Sequence, residues 1–262
     1  MKTFLESIIK QAGRISLDYK ARLADVRVSR KSEKDLVTEA DVAVEHYLVK
    51  QIRQRYPDHA IVGEETGTHA GSEYRWIIDP IDGTGSFVHD LPYYSTSIAL
   101  EHAGELVLAA VYAPVLGELF MAEKGNGATF NGRPIRVSDC DTLSDAMLGT
   151  GFACLRNNLE HNNLPYFAAI APKIRGIRRL GTCAIDLSYV ACGRFDGFWE
   201  LGLKIYDISA GMLILTEAGG TVTDFSGCRT DNLPGELLAT NTKLHNTISN
   251  ILTGVKNEFE RS

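Results

Sequence analysis

Apolar residues recur through the first twenty positions at the spacing of one helical face: Phe4, Leu5, Ile8, Ile9, Ala12, Ile15 and Tyr19. This spacing predicts an amphipathic helix. A second helix is predicted over about 39–56, with Val44, Tyr47, Leu48, Ile52 and Tyr56 inward and Pro57 just past its end. The pattern then shortens to apolar runs of strand length at 60–62, 75–78, 95–100, 106–112 and 118–121, separated by turns. Asn131 and Gly132 both tolerate positive φ and lie between the runs 128–130 and 134–137, which predicts a hairpin and an antiparallel sheet in this part of the chain. Beyond Asp141 helix and strand alternate: helices at 160–170, 184–192, 206–218 and 243–258, strands at 174–180 and 195–201. The fold class is therefore α/β in the broad sense, an α+β half over about 1–140 followed by an α/β half over about 141–262.

The chain has 262 residues, 44% of them hydrophobic, enough for one large domain or two small ones. No repeat, low-complexity tract or Pro/Ser-rich linker divides it, so one compact body is expected. Lys2, Glu6, Lys10, Arg14 and Asp18 interrupt the first apolar positions, so no signal peptide is expected, and no stretch approaches membrane-spanning length. The five cysteines are odd in number and show no CxxC spacing, which suits a reduced cytoplasm. A net charge of −6 argues against a nucleic-acid-binding protein. Lys173, Arg175, Arg178 and Arg179 form one local basic run, which reads as a solvated face, a dimer rim or an anion-facing strand, with the solvated or rim reading favoured.

The sharpest local signal is WIIDPIDGT over 76–84. An apolar strand ends in two carboxylates three apart, Pro80 stiffens the turn between them, and Gly83 frees backbone N–H groups at a helix start. Such a turn can hold a metal and a phosphate together, and hard oxygen ligands without His or Cys favour magnesium over zinc. The plain alternative is that Asp79 and Asp82 only cap a turn. Glu64 and Glu65 follow the strand 61–62 directly, at a strand end where sites in α/β folds collect. Asp207 precedes the helix 208–218 and taken alone reads as its N-cap.

Together these segments resemble the inositol monophosphatase family: Gly63-Glu64-Glu65, then WIIDPIDGT, then WELGLKIYDISAG over 199–211, with DLVTEAD over 35–41 as the upstream motif. The resemblance runs from about Asp35 to Asp224. It implies a layered αβαβα sandwich of the inositol monophosphatase and fructose-1,6-bisphosphatase type and a homodimer. It implies two or three Mg²⁺ ions: Glu64, Asp79 and the Ile81 carbonyl would hold the first, Asp79, Asp82 and Asp207 the second, with a weaker one near Glu64. Gly83 and Thr84 would receive the phosphate, and Asp41 would pair with Thr84 to orient the attacking water. Glu200, Asp82 and the loop Gly181-Thr182-Cys183 would face the alcohol. The implied activity is Mg²⁺-dependent, lithium-sensitive hydrolysis of a phosphate monoester, inositol monophosphate or a similar polyol phosphate. Direct attack by a metal-activated water needs no covalent intermediate and no catalytic His or Cys. The seven histidines are thus unassigned, and His89 reads as a helix-end surface or packing residue.

Departures from the family pattern bear on the substrate. Gly85-Ser86 replaces the usual polar pair after DGT, and Tyr206 stands where a Trp is usual. Lys204 suits either a rim salt bridge, the favoured reading, or a substrate with extra negative charge. Histidinol phosphate, a nucleotide 3′-phosphate and fructose 1,6-bisphosphate remain alternative substrates. A different class of reading is a partner-binding protein that retains the phosphatase site. No membrane or nucleic-acid partner is expected.

Overall fold

The computed structural model describes residues 1–30, 36–228 and 235–259. Asp35, the first residue of the upstream motif, lies outside the described residues. The apolar spacing is realised in α1 (Lys2–Lys20) and, after the small ribbon of β1 (Val28–Arg30) and β2 (Leu36–Thr38), in α2 (Glu39–Arg55). Thr38 caps α2 by accepting from the Ala40 N–H at 3.1 Å, and its own N–H donates to Asp41 at 2.8 Å. The orphan donors of the first turn are thereby partly satisfied within the motif itself.

The large sheet is built from β3 (Ala60–Gly63), β4 (Gly67–His69), β5 (Tyr74–Asp82), β6 (Ser95–His102), β7 (Glu105–Ala113), β8 (Glu118–Glu123), β9 (Ala128–Phe130) and β10 (Arg133–Pro134), with the short helix α3 (Thr84–Val88) after β5. Its order is β10-β9-β8-β7-β6-β5-β3-β4. From β10 to β5 every pairing is antiparallel, as the hairpin signal predicts, and Asn131 and Gly132 take φ of 47° and 77°. Pairing stops at Pro134, short of the predicted Val137, whose N–H donates instead to the Ala218 carbonyl at 3.1 Å.

The second sheet has five strands: β11 (Met147–Thr150), β12 (Gly176–Arg178), β13 (Gly197–Leu201), β14 (Thr221–Thr223) and β15 (Glu236–Thr240), in the order β12-β11-β13-β15-β14. The helices of this half are α4 (Ala153–Arg156), α5 (Leu164–Ile170), α6 (Cys183–Ala191), α7 (Ile205–Glu217) and α8 (His245–Phe259). The predicted helix 160–170 begins only at Leu164. Strands β11, β14 and β15 are not among the predicted strands: the β-branched Thr221-Val222-Thr223 is only three residues long, and Glu236-Leu237-Leu238-Ala239 are strong helix formers. Pairing with β13 and β14 overrides that preference.

Burial follows the layers. Leu5, Ile9, Leu48 and Ile52 from α1 and α2 pack with Trp76 and Ile78 on one face of β5, while Ile77 points to the opposite face. That second face meets α6 and α7 through Ile185, Leu187 and Ile214, which also reach Phe198 and Leu237 of the smaller sheet. Beyond it, Trp199 and Leu238 pack with Tyr166 of α5 and Ile248 and Leu252 of α8. The sequence of layers is αβαβα. Every residue of α6 is buried, as a helix that lies between two sheets must be.

Candidate active site

The site begins where β5 ends. Strand β3 runs parallel to β5 with Gly63 opposite Ile78, so the next residue along, Glu64, arrives beside Asp79, and the Glu64 N–H donates to the Ile78 carbonyl at 3.3 Å. On the other side of β5 the ladder to β6 is irregular between Asp79 and Asp82, and Thr96 Oγ1 donates to the Pro80 carbonyl at 2.9 Å. Gly83 then turns the chain with φ 95°. A Cβ there would stand 3.0 Å from the Tyr93 carbonyl and 3.2 Å from that of Gly181, so both its conformation and its surroundings require glycine.

Thr84 opens α3 with its hydroxyl 3.1 Å from Asp41 Oδ1 and 3.1 Å from the Ile81 carbonyl, donating to one of them at a time. Asp41 is fully buried on α2 and receives the Thr38 N–H and hydroxyl through its other oxygen. Asp207 corrects the N-cap expectation: α7 starts at Ile205, so Asp207 is its third residue and accepts from the Lys204 N–H at 2.6 Å. Both aspartates thus sit in a helix first turn, where the partial positive charge favours a carboxylate.

The third segment is tied to the same point. Thr182 Oγ1 donates to Asp82 Oδ2 at 2.6 Å and the Ala184 N–H donates to the same oxygen at 2.7 Å, so the start of α6 is clamped to the end of β5. Glu200 on β13 is buried and accepts from the Ala153 N–H at 2.8 Å. A Cβ at Gly151 would stand 2.2 Å from either Glu200 oxygen, so glycine leaves the carboxylate its place.

Glu64, Asp79, Ile81, Asp82, Gly83, Thr84, Gly181, Thr182, Cys183, Glu200 and Asp207 line one cleft. Asp41 lies behind Thr84 and reaches it through the hydroxyl. Burial pushes the Asp79 carboxyl well above the usual carboxylate range, and Glu64, Asp82 and Asp207 push it further. Asp207 is raised in the same way, by burial and then by Asp82. Burial raises Asp82 to about 6 against the opposing Thr182 hydrogen bond, Asp41 to about 6, and Glu200 to about 7. The cluster is a concentration of acid groups in a dry place. Asp79 Oδ1 is buried with no hydrogen-bond partner among the described residues.

Several residues here escape sequence reasoning. Glu45, fully buried, accepts the Glu65 N–H at 2.9 Å and the Thr66 N–H at 2.6 Å and so holds the segment that follows Glu64. Its signal was a charge next to Val44 on the inward face of α2. Asp186 lines the cleft and is buried, with burial raising its carboxyl well above the usual range. Its signal was an acid among the apolar residues of α6. Arg156, which carried no signal, also lines the cleft, as does Arg179, the last member of the basic run noted in the sequence. Lys173, Arg175 and Arg178 are exposed, as the solvated-face reading expects, and His89 is exposed at the end of α3. Lys204 is exposed at the cleft but makes no ion pair among the described residues, so the rim salt bridge is not formed. Gly85 faces open space, and the Ser86 hydroxyl donates to the Leu180 carbonyl at 3.4 Å.

Buried carboxylates at strand ends beside a tight glycine turn, set in an αβαβα sandwich, define a site of the phosphatase class. The chain belongs to the inositol monophosphatase family, whose model matches residues 1–255. It is 43% identical to the Nus factor SuhB of Pseudomonas aeruginosa over 89% of each chain, and 42% identical to an inositol-1-monophosphatase of Synechocystis over 87% of this chain and 80% of that one. The crystal structure of extragenic suppressor protein suhB from Bartonella henselae superposes with a TM-score of 0.91 at 36% identity, covering 95% of this chain and 97% of that one. Among the described residues no helix is long and apolar enough to cross a membrane.

Proposed function

We propose that the protein is a Mg²⁺-dependent phosphomonoesterase acting on inositol monophosphate or a similar polyol phosphate. The observation that carries this reading is the acid cluster around one cleft, Asp79 and Asp82 buried and Glu64 and Asp207 half-buried beside them. Crowded carboxylates that raise one another's pKa, one of them with an orphaned buried oxygen, suit cations, and an all-oxygen donor set suits magnesium. Among the described residues no three acidic, His or Cys groups close into a ready-made metal cage; the assignment rests on donor type and charge. Glu64, Asp79 and the Ile81 carbonyl would hold one ion, Asp79, Asp82 and Asp207 a second, and Glu64 a weaker third. Bound there, the ions would neutralise the ester dianion and acidify the attacking water.

The remaining work belongs to the chain. Gly83 and Thr84 present backbone N–H groups to the phosphate at the start of α3. The Thr84 hydroxyl accepts from the attacking water while it donates to Asp41 Oδ1, so the water's lone pair is aimed in line with the leaving oxygen. Thr182 and the Ala184 N–H fix Asp82. Glu200, with Gly181, Thr182 and Cys183, faces the alcohol. No side chain becomes phosphorylated. The family reading brings a homodimer, lithium inhibition and a cytoplasmic setting with it.

Phosphate release with Mg²⁺ from inositol monophosphate, histidinol phosphate, a nucleotide 3′-phosphate and fructose 1,6-bisphosphate tests the proposal. Release from at least one, lost in chelator and reduced by lithium, is the expected result. No release from any of the four refutes it. The relatives named Nus factor favour a second, partner-binding role for the same chain; such a role would survive Asp79→Asn, whereas hydrolysis would not.

A further inference from the structure

Asn163 stands immediately before α5, where an Asn side chain ordinarily accepts from the first N–H groups of the helix. Here it makes no such cap and is turned inward, fully buried. Its Oδ1 accepts from the Trp199 indole N–H at 2.8 Å, while Nδ2 donates to Thr150 Oγ1 at 2.9 Å and to the Gly151 carbonyl at 2.6 Å. The partners fix which way the amide points. Thr150 gives its own hydroxyl proton to the Trp199 carbonyl at 2.7 Å, so Thr150 Oγ1 and the Gly151 carbonyl can only accept, and the indole can only donate. The backbone N–H of Asn163 donates in turn to Cys154 Sγ at 3.3 Å.

Three of these partners adjoin Glu200. Trp199 precedes it on β13, and Cys154 follows Ala153, whose N–H donates to Glu200 Oε1 at 2.8 Å. Gly151 packs so closely on the carboxylate that a Cβ there would stand 2.2 Å from either oxygen. The parallel ladder between β11 and β13 ends at Thr150 and Trp199, one residue short of Gly151 and Glu200. Where the ladder stops, the Asn163 amide continues the frame by holding the Gly151 carbonyl. Glu200 Oε2 accepts no hydrogen bond from the described residues, and Glu200 lines the cleft, so that oxygen is left for a ligand.

Resting on the phosphomonoesterase reading, we propose that Asn163 is a positioning residue for Glu200, and through it sets recognition of a hydroxyl on the alcohol part of the substrate. Asn163 is not among the residues that line the cleft, so it acts through Glu200 and not on the substrate. A hydroxyl–carboxylate bond tolerates only a few tenths of an ångström in length, so a frame displaced by more than that loses it. Asn163→Asp is the most direct perturbation. It keeps the side-chain shape and the acceptor for the indole, but turns an oxygen toward two atoms that only accept, which drives Gly151 from its place and removes the seat of the carboxylate. An ester whose alcohol carries no hydroxyl is indifferent to that displacement.

The test follows hydrolysis of myo-inositol 1-phosphate and of 4-nitrophenyl phosphate, whose aryl group offers Glu200 no hydroxyl. The proteins are the wild type, Asn163→Asp, Glu200→Ala, their double variant, and Leu252→Ala, a cavity in the apolar cluster around Trp199 that leaves the amide network in place. Asn163→Asp is expected to raise KM for the inositol ester about tenfold with kcat within about threefold, and to leave both constants for the aryl ester within about twofold. In the Glu200→Ala background the same change should move neither KM by more than about twofold, because its effect runs through Glu200. Equal losses on both esters, a further KM rise in the double variant, or the same inositol KM rise in Leu252→Ala overturns the role. Asn163→Ala, which removes the network without burying a charge, should show the same pattern and replaces Asn163→Asp if that variant does not fold. Exchange of the Ala153 amide hydrogen, read by NMR, needs no turnover and should be about tenfold faster in Asn163→Asp than in Leu252→Ala. If the inositol ester is not hydrolysed, the substrate reading falls and this exchange decides the positioning role: faster exchange supports it, and equal exchange overturns it.

Discussion

Replacing Glu45 should cost activity far more than stability. Glu45 lies one helical turn beyond Asp41 on α2 and is fully buried. Its oxygens accept from the Glu65 N–H at 2.9 Å and the Thr66 N–H at 2.6 Å, and a Cβ at Gly63 would stand 2.2 Å from Glu45 Oε1. The carboxylate is therefore wedged against the chain on both sides of Glu64. Glu45→Ala removes two charge-assisted hydrogen bonds of about 1.5–3 kcal/mol each. They share one loop, and water reaches its half-buried N–H groups, so the net loss is about 3 kcal/mol. With an unfolding entropy of about 2.1 cal/mol/K per residue, a chain of this length should lose about 5 °C in Tm. Glu64 would no longer be held beside Asp79, and misplacement on the scale of an ångström costs about a hundredfold in turnover. Glu45→Gln keeps a carbonyl for one N–H but aims its amide at the other, so a loss of about tenfold is expected. The assay is turnover against Mg²⁺ concentration, beside a thermal melt of each metal-free protein. Wild-type turnover and Mg²⁺ half-saturation in Glu45→Ala would refute the positioning role.

Asp41→Asn and Thr84→Ala should be strongly non-additive, because both disrupt one Thr84–Asp41 contact; turnover of the double variant no worse than the poorer single is expected, and penalties that add in free energy would make Asp41 only a helix cap. Asp79→Asn should abolish most turnover yet leave the metal-free melt equal or higher, since it removes a buried carboxylate with an orphaned oxygen; a melt several degrees lower would count against this. Asp41 and Asp82, each raised from 3.8 to about 6, bind more protons folded than unfolded between those values, so they lower metal-free stability as pH rises through that window, by up to about 3 kcal/mol each. Denaturant midpoints at pH 5 and pH 7 should therefore separate less in Asp82→Asn than in wild type; an unchanged separation would sink the linkage.

Local pattern determined much of this protein. The apolar spacing of 4–19 and 44–56, the Asn131-Gly132 pair and the WIIDPIDGT segment each encode one element, because a side chain's facing repeats at 3.6 or 2 residues and a turn needs particular φ values. The same segments named the acids of the cleft through their joint resemblance to a family, since taken singly Asp79 and Asp82 also read as turn caps and Asp207 as a helix N-cap. Tertiary structure decided what those acids face. Parallel pairing of β3 with β5 carries Glu64 to Asp79, and the bond from Thr182 to Asp82 spans 100 positions. Strand β15 exists because β13 offers it an edge, against the helical preference of Glu236-Leu237-Leu238-Ala239, and β14 then pairs with β15. Glu45, Asp186, Arg156 and Arg179 read in the sequence as ordinary charges. Only the fold, by burying two of them and turning the other two into one cleft, distinguishes them from the solvated charges that they otherwise resemble, because burial and long-range pairing are set by which surfaces pack together and leave no mark on local spacing.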